Sequence, residues 1–168
     1  MKYYIIAGEA SGDLHGSNLI KEIIELDPTA DIRAWGGDKM QSAGAKVVKH
    51  FKDLAFMGFY EVLINLRTVL RNISFCKKDI LEFNPDKIIF IDYPGFNMRI
   101  AKWSKKYKYD TIYYIAPQLW AWNEKRIKEI KKYINSLYVI LPFEKEFFES
   151  RHNYPVKFLG HPLVDSIN

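Results

Sequence analysis

The stretch "YYIIAGEASGDLHG" (residues 3–16) sets the expected fold of the whole chain. Its apolar run ends at Gly8, two more glycines follow at Gly12 and Gly16, and a helical pattern then continues to residue 26. A buried strand, a glycine-rich turn and a helix in this order are typical of the first unit of an α/β domain.

Further short apolar runs predict more buried strands. Continuous rather than alternating apolarity is typical of strands covered on both faces, as in a parallel sheet. The predicted strands are "YYIIA" (3–7), "KIIFI" (87–91), "TIYYIA" (111–116), "LYVIL" (137–141) and "VKFLG" (156–160), with "DIRAW" (31–35) and "AKVVKHF" (45–51) as weaker candidates. Helical patterns lie between them at residues 13–26, 97–108 and 123–134. The alternation predicts an α/β fold, a Rossmann-like three-layer domain with a mostly parallel sheet spanning residues 1–168.

Composition limits the class of protein. The chain has 168 residues, of which 48% are apolar, enough for one domain with a sizeable core. Its net charge of +5 favours anionic partners without choosing between phosphate, acidic lipid and nucleic acid. The single cysteine, Cys76, and the lack of zinc-ligand spacing favour a reducing cytoplasm and no metal. The pattern predicts neither a signal sequence nor an apolar run of the ~18 residues that cross a bilayer.

The segment "LAFMGFYEVLINLRTVLRNISF" (54–75) does not fit an ordinary outer helix. The pattern predicts a helix from about residue 58, but its apolar residues spread around most of the helical wheel. One interpretation is packing into the core. The other is an exposed apolar surface edged by arginines, which suits an anionic bilayer. The candidate lipid-contacting residues are Met57, Phe59, Val62, Leu63, Leu66, Arg67, Val69 and Leu70.

The turn at residues 8–13 lacks the spacing of a dinucleotide fingerprint and the lysine of a P-loop. Glu9 and Asp13 would repel a phosphate, whereas carboxylates accept hydrogen bonds from hydroxyl groups. A sugar therefore suits this turn better than a phosphate. The alternative is that Ser11 or Asp13 only caps the following helix.

Asp92 in "FIDYPGFNMR" (90–99) follows directly on a predicted buried strand. Pro94 and Gly95 end the strand, and Asn97 opens the next helix. A carboxylate among apolar neighbours has its pKa raised, because burial disfavours the charged form. Such a group suits a general base near neutral pH. The alternative is that Asp92 only fixes the turn.

A loop with two tryptophans follows the next strand, in "YYIAPQLWAWNEKR" (113–126). Trp120 and Trp122 are able to stack on a sugar or base, with Gln118 beside them, and Arg126 is able to pair with a phosphate. The alternative is that the tryptophans are buried as anchors of the loop. The four histidines show no metal-ligand spacing and are interpreted as structural; they are His15, His50, His152 and His161.

Seven motifs together resemble the lipid-A-disaccharide synthase family, in the family's order. They are "GEASGDLHG" (8–16), "GGDKM" (36–40), "MGFYEVL" (57–63), "IDYPGFN" (91–97), "APQLWAW" (116–122), "LPFEKEFF" (141–148) and "FLGHPL" (158–163). Each motif alone is weak, but seven in sequence are highly specific.

The resemblance implies an inverting, metal-independent glycosyltransferase of the GT-B type, with two Rossmann-like domains and no cofactor. It implies that UDP-2,3-diacylglucosamine is joined to 2,3-diacylglucosamine 1-phosphate through a β-1,6 linkage, releasing UDP. It implies Asp92 as the base for the acceptor 6-hydroxyl. The implied acceptor-side and substrate-binding residues are Glu9, Ser11, Gly12, Asp13, Asn97, Gln118, Trp120, Trp122 and Arg126.

The acylated substrates favour lipid contact for the 57–70 segment, and a peripheral position on the cytoplasmic face of the inner membrane. Nucleic acid is not an expected partner.

The chain departs from the resemblance in two ways. Some members carry a second acidic residue where this chain has Gly95, so only one carboxylate is expected there. The resemblance also covers only the N-terminal half of the family. It therefore implies that the nucleotide-sugar domain is absent from this chain and that the chain is inactive alone. The alternatives are a non-catalytic lipid- or nucleotide-binding module, and the related half of another UDP-sugar enzyme such as a hexosamine epimerase.

Overall fold

The structure, a computed structural model, describes residues 1–54, 66–119, 124–162 and 164. The strands are β1 (Lys2–Ala7), β2 (Asp31–Gly36), β3 (Lys46–His50), β4 (Lys87–Ile91), β5 (Asp110–Ile115), β6 (Ser136–Val139) and β7 (Lys157–Phe158). The helices are α1 (Ala10–Leu26), α2 (Asp38–Ser42), α3 (Leu66–Phe83), α4 (Pro94–Ser104), α5 (Ile127–Tyr133) and α6 (Pro142–Glu146), which runs into a π-helical turn (Phe147–Arg151).

The described strands form one sheet in the order β3-β2-β1-β4-β5-β6-β7, and each neighbouring pair is parallel. β1 lies inside the sheet, with β2 on one side and β4 on the other. The chain therefore winds outward in opposite directions from β1 and β4. In such sheets a crevice opens beyond the carboxyl ends of the strands where the order reverses. The predicted parallel α/β fold is confirmed.

Alternate residues of β1 belong to two separate hydrophobic cores, one on each face of the sheet. Tyr4 and Ile6 join the core beneath α3, α4 and α5, whereas Ile5 and Ala7 join the core beneath α1 and α2. All four side chains are buried. Burial of each large apolar side chain contributes about 1.5–3 kcal/mol, which explains why the strands are apolar on both faces. The result is the predicted three-layer arrangement.

Helix α3 ends later than the sequence pattern predicts. The pattern ends the helix near residue 75, but the helix continues to Phe83. Its buried stripe includes Asp79, whose carboxylate accepts a hydrogen bond from Tyr4 Oη at 2.7 Å and pairs with Arg33 Nη1 at 2.7 Å. A charged residue at a buried position interrupts the apolar pattern of a helix, so the pattern ends too early. Asp79 tolerates burial because its partners lie on β1 and β2, far away in the sequence. Residues 55–65, where the helix was expected to begin, lie outside the described residues.

Two other elements differ from their predicted bounds. β7 has two residues, both exposed, where a buried strand at 156–160 was predicted. This strand lies at the edge of the sheet, where burial on both faces is not needed. α4 begins at Pro94 rather than residue 97, and proline is well suited to the first turn of a helix.

Candidate functional site

A cleft of about 390 Å³ lies at the carboxyl ends of β1, β4 and β5. Its polar lining comes from Ser11, His15, Asp92 and Gln118, and its apolar lining includes Ile91, Pro94, Ile115 and Ile140. The first turns of α1 form one wall and the turn after β4 forms another. The cleft therefore lies where the strand order reverses, the position expected for a ligand in this type of sheet.

The turn that carries Asp92 has an unusual backbone. Asp92 has φ 42° and Tyr93 has φ 48°, so two consecutive non-glycine residues adopt the left-handed conformation. Each such residue costs on the order of 1–3 kcal/mol, and the surrounding structure must hold it in place. Tyr113 Oη donates to the Asp92 carbonyl oxygen at 2.6 Å, and the Asp92 N–H donates to the Ile115 carbonyl oxygen at 3.3 Å. These bonds fix the turn from the neighbouring strand β5.

The Asp92 carboxyl group combines burial with a lack of charged partners. Burial raises its pKa, and a hydrogen bond from the Tyr93 N–H opposes the rise in part. No cation among the described residues forms an ion pair with this carboxylate. The predicted rise in pKa is confirmed, and the side chain lines the cleft. A carboxylate in this state is well suited to accept a proton.

Asn97 has a different role from the predicted one. It is fully buried, and its Nδ2 donates to the carbonyl oxygens of Asp92 at 2.7 Å and Ile91 at 3.4 Å. The predicted role in substrate binding is therefore wrong, because the side chain has no exposed surface. Asn97 instead positions the turn that presents Asp92.

Asp13 also departs from its predicted role. Its carboxylate is buried and accepts hydrogen bonds from the N–H groups of Gly37 at 2.7 Å, Met40 at 3.0 Å and Lys39 at 3.2 Å. These three donors lie at the start of α2, so Asp13 caps α2 from the neighbouring helix. The predicted contact with a sugar hydroxyl is wrong, because both oxygens are occupied inside the protein. The capping alternative was closer, although it named the wrong helix.

The other residues of the first turn remain near the cleft. Ser11 is exposed and Gly12 is buried, and both line the cleft. A Cβ atom at Gly12 would lie 3.0 Å from the Ala7 Cβ atom, so glycine lets α1 start close against β1. Glu9 is exposed and does not cap α1 with its side chain.

The turns after β1 and β4 touch each other. Burial, and secondarily the charge of Glu9, raises the pKa of Tyr93. A Cβ atom at Gly8 would lie 2.5 Å from the Tyr93 ring, so the ring rests directly on the Gly8 backbone.

The tryptophan loop is only partly described. Gln118 is exposed and lines the cleft, and Arg126 is half-buried at the far end of the loop. Burial raises the pKa of Tyr113, and the charge of Arg126 is among the opposing influences, which places Arg126 near the Asp92 turn. Trp120 and Trp122 lie outside the described residues.

The predicted lipid-contacting residues separate into two groups on α3. Leu66 and Leu70 are 55% and 54% exposed, and Arg67 is exposed beside them. Val69 is half-buried and packs against the core, which favours the core interpretation for this residue. Met57, Phe59, Val62 and Leu63 lie outside the described residues.

Sequence reasoning missed His15. It was interpreted as structural because it has no metal-ligand spacing, but it lines the same cleft as Asp92. Its position one helical turn after Ser11 places both residues on one face of α1, and that spacing was a usable signal. Among the described residues there is no group of three or more side chains suited to a metal ion.

A family model described as lipid-A-disaccharide synthetase matches residues 3–168. The lipid-A-disaccharide synthase of Geobacter metallireducens is 43% identical over 164 residues, which cover 98% of this chain and 42% of that protein. The Coxiella burnetii enzyme of the same name (strain Dugway 5J108-111) is 40% identical over 162 residues, covering 96% of this chain and 43% of that protein. The chain thus spans less than half the length of these relatives.

The fold has a solved neighbour. The crystal structure of UDP-GlcNAc 2-epimerase from Neisseria meningitidis, bound to UDP-GlcNAc, superposes with a TM-score of 0.71 and 13% sequence identity. It covers 99% of this chain and 48% of that one. At this identity the likeness shows the fold alone.

Proposed function

The chain belongs to the lipid-A-disaccharide synthetase family, and from that premise we propose that it forms the acceptor-side domain of an inverting glycosyltransferase. The proposed reaction joins UDP-2,3-diacylglucosamine to 2,3-diacylglucosamine 1-phosphate through a β-1,6 linkage and releases UDP. The observation that carries the proposal is Asp92, a half-buried carboxyl group with a raised pKa that lines a polar cleft.

In the proposed mechanism Asp92 acts as the general base. It accepts the proton of the acceptor 6-hydroxyl as that oxygen attacks the anomeric carbon of the donor sugar. The bond between the anomeric carbon and UDP breaks on the opposite face, and UDP leaves with the electron pair. A base held at the right distance contributes about 10²- to 10⁴-fold to such a step. Asn97 and Tyr113 support it by holding the Asp92 backbone.

Asp92→Asn in the protein encoded by the complete reading frame tests this role. We expect turnover to fall about 10²- to 10⁴-fold, because the amide cannot accept the proton, while thermal unfolding stays cooperative. Asp31→Asn is the matched control, since Asp31 is exposed at the opposite end of the sheet, and it should keep wild-type turnover. Turnover of the Asp92→Asn protein close to the wild-type rate would remove Asp92 from the mechanism.

We further propose that a second domain supplies most of the nucleotide-sugar site. The support is that the chain covers 42% of its Geobacter metallireducens relative. The 168-residue chain and the complete gene product are compared in one disaccharide-forming assay, with activity expected only in the second. Clear disaccharide formation by the 168-residue chain would refute the proposal. A non-catalytic binding module would bind ligand and show no turnover in either form.

We also propose that α3 contacts an anionic lipid surface, at the cytoplasmic face of the inner membrane. Leu66 and Leu70 are exposed on one side of the helix, with the cations Arg67 and Arg71 beside them. Apolar side chains enter the headgroup region while arginines pair with lipid phosphates. No helix of the described segments has the length and apolar character needed to span a bilayer. The attachment that we propose is peripheral and uses the exposed side of α3.

Liposome co-sedimentation measures this contact. Leu66→Ser with Leu70→Ser should lower binding to vesicles containing phosphatidylglycerol, and high salt should weaken the wild-type interaction. Leu26→Ser is the control, because Leu26 is 86% exposed at the end of α1 in the other helical layer. Equal sedimentation of the double variant and wild type would exclude α3 as the lipid-binding surface.

A further inference from the structure

His15 is a polar group of the Asp92 cleft that the proposed mechanism does not use. Its Nδ1 atom is buried and makes no hydrogen bond to any described residue. A buried N–H without an acceptor is unfavourable, so the ring proton is favoured on the other nitrogen, Nε2. His15 thereby offers a hydrogen-bond donor to the cleft, one helical turn from the exposed hydroxyl of Ser11.

A second histidine adjoins the same place. A neighbouring cavity of about 310 Å³ is lined by Tyr114, Tyr138, Ile140 and His161, and Ile140 also lines the Asp92 cleft. Burial lowers the pKa of His15, and the nearby charge of His161 lowers it further. A nearby positive charge disfavours the protonated form of His15, and an anion bound at His15 removes that penalty.

The carboxylates near His15 do not prevent an anion from binding there. Asp13, on the same helix, is bonded to the α2 backbone. On α2, Asp38 pairs with His50 and Lys52. Asp92 shares the cleft, and burial raises its pKa. The sequence-based objection to a phosphate rests on two carboxylates, and neither lines the cleft. Asp13 is bonded to α2, and Glu9 is exposed to solvent.

We propose that His15, with Ser11 and His161 beside it, binds a phosphate group of the substrate in the Asp92 cleft. The proposal rests on the proposed function, in which the acceptor carries a 1-phosphate and the donor a diphosphate. Nε2–H of His15 donates to a phosphate oxygen, and the bound anion stabilises the imidazolium form. Phosphate affinity therefore rises as the pH falls through the pKa of His15, with uptake of a proton on binding.

The test uses nuclear magnetic resonance of the isotope-labelled 168-residue chain, with the histidine imidazole signals followed against pH. The probes are N-acetylglucosamine 1-phosphate and UDP, with N-acetylglucosamine as the control that lacks phosphate. We expect the pKa of His15 to rise with at least one phosphate probe and to stay constant with N-acetylglucosamine. His152, which pairs with Glu124 outside the cleft, should not respond. The probe that binds more tightly identifies the acceptor or the donor as the source.

Two variants separate binding from folding. His15→Phe keeps a ring but removes the donor and should weaken binding roughly 10- to 100-fold, as expected for one hydrogen bond to a charged group. His15→Gln keeps a donor that does not titrate, so it should restore part of the affinity without the pH dependence. Unchanged His15 signals with both phosphate probes, or wild-type affinity in His15→Phe, would overturn the proposal. Because the readout needs no turnover, full activity of Asp92→Asn would refute the proposed base and leave this result standing.

Discussion

Asp13 follows β1 and Asp92 follows β4, and these two strands are hydrogen-bonded neighbours, yet their carboxylates have opposite surroundings. Asp13 accepts bonds from three N–H groups of the α2 start. The Asp92 carboxylate is half-buried with a single N–H donor, that of Tyr93, and lines the cleft. Its backbone carbonyl, not its carboxylate, receives the bonds from Asn97 and Tyr113.

The comparison shows what separates a structural carboxylate from the proposed base in the same domain. Burial alone does not, because both residues are buried in part or in full. The number of donors does, since three N–H groups bond to the Asp13 carboxylate and one bonds to that of Asp92. Donors aimed at the backbone of Asp92 fix its position and leave its charge uncompensated.

The largest expected effect on stability is at Asp13. Asp13→Asn replaces one acceptor oxygen with an NH₂ group that faces N–H donors, so at least one buried donor loses its partner. We expect the free energy of unfolding to fall by about 2–4 kcal/mol, measured by urea denaturation. Asp38→Asn is the control, because Asp38 is exposed at the start of α2, and it should change stability by less than about 0.5 kcal/mol. Similar values for both variants would mean that Asp13 does not hold α2.

A smaller effect is expected at Asn97. Asn97→Ala removes the amide that donates to the Asp92 carbonyl, and should lower the free energy of unfolding by about 1–2 kcal/mol. Tyr113→Phe removes the other donor to the same oxygen and should cost about 1 kcal/mol. Both variants should lower turnover of the complete protein, because Asp92 loses its fixed position. Turnover unaffected by either change would separate the turn geometry from catalysis.

The pH dependence of stability sharpens the contrast further. The folded-state pKa of Asp92 is raised by burial, so the ionised group disfavours the folded state. Its contribution is favourable below the unfolded pKa and is lost as the pH rises through the folded pKa. Asp92→Asn should therefore be more stable than wild type at neutral pH, with the difference shrinking toward acid pH. Urea denaturation at several pH values measures it, and a difference independent of pH would contradict the raised pKa.

The smallest expected effect concerns the glycines of the two turns. A Cβ atom at Gly95 has no neighbour within 4 Å, and Gly95 lies in the first turn of α4. Gly95→Ala should raise the free energy of unfolding by about 0.5–1 kcal/mol, because alanine has less conformational freedom to lose. Gly8→Ala should lower stability instead, because the new methyl group meets the Tyr93 ring. Thermal melts of both variants give the signs, and equal signs would show that the Gly8 backbone tolerates a side chain.

The strands and their parallel arrangement could be predicted because each buried strand is a continuous apolar run. The strand of Lys87–Ile91 shows this, since its last four residues are buried between two helical layers. The length and burial of β7 differ from the prediction because this apolar segment lies at the exposed edge of the sheet. The end of α3 was misjudged because Asp79 finds its partners on β1 and β2, which no local pattern reveals.

The candidate site could be predicted only where position along the chain determines the environment. Asp92 follows a buried strand, so both its cleft location and its raised pKa follow from the sequence. Asp13 and Asn97 were assigned to substrate because their hydrogen-bond partners were not visible. The N–H groups of Gly37 and Met40 belong to a turn that reaches Asp13 only after β2 pairs with β1. His15 was missed because a cleft wall is formed by the packing of several elements.

The Tyr93 ring contacts the Gly8 backbone, so the turn after β1 helps to set the position of the turn after β4. Tyr93 directly follows Asp92 in the chain, so a shift of its ring should change the orientation of the Asp92 carboxyl group. A larger side chain at position 8 should therefore displace the Asp92 carboxyl group, although Gly8 belongs to a different turn. Under the proposed mechanism, a substitution at position 8 should therefore change turnover through the Tyr93 ring, although Gly8 is not among the residues that line the cleft.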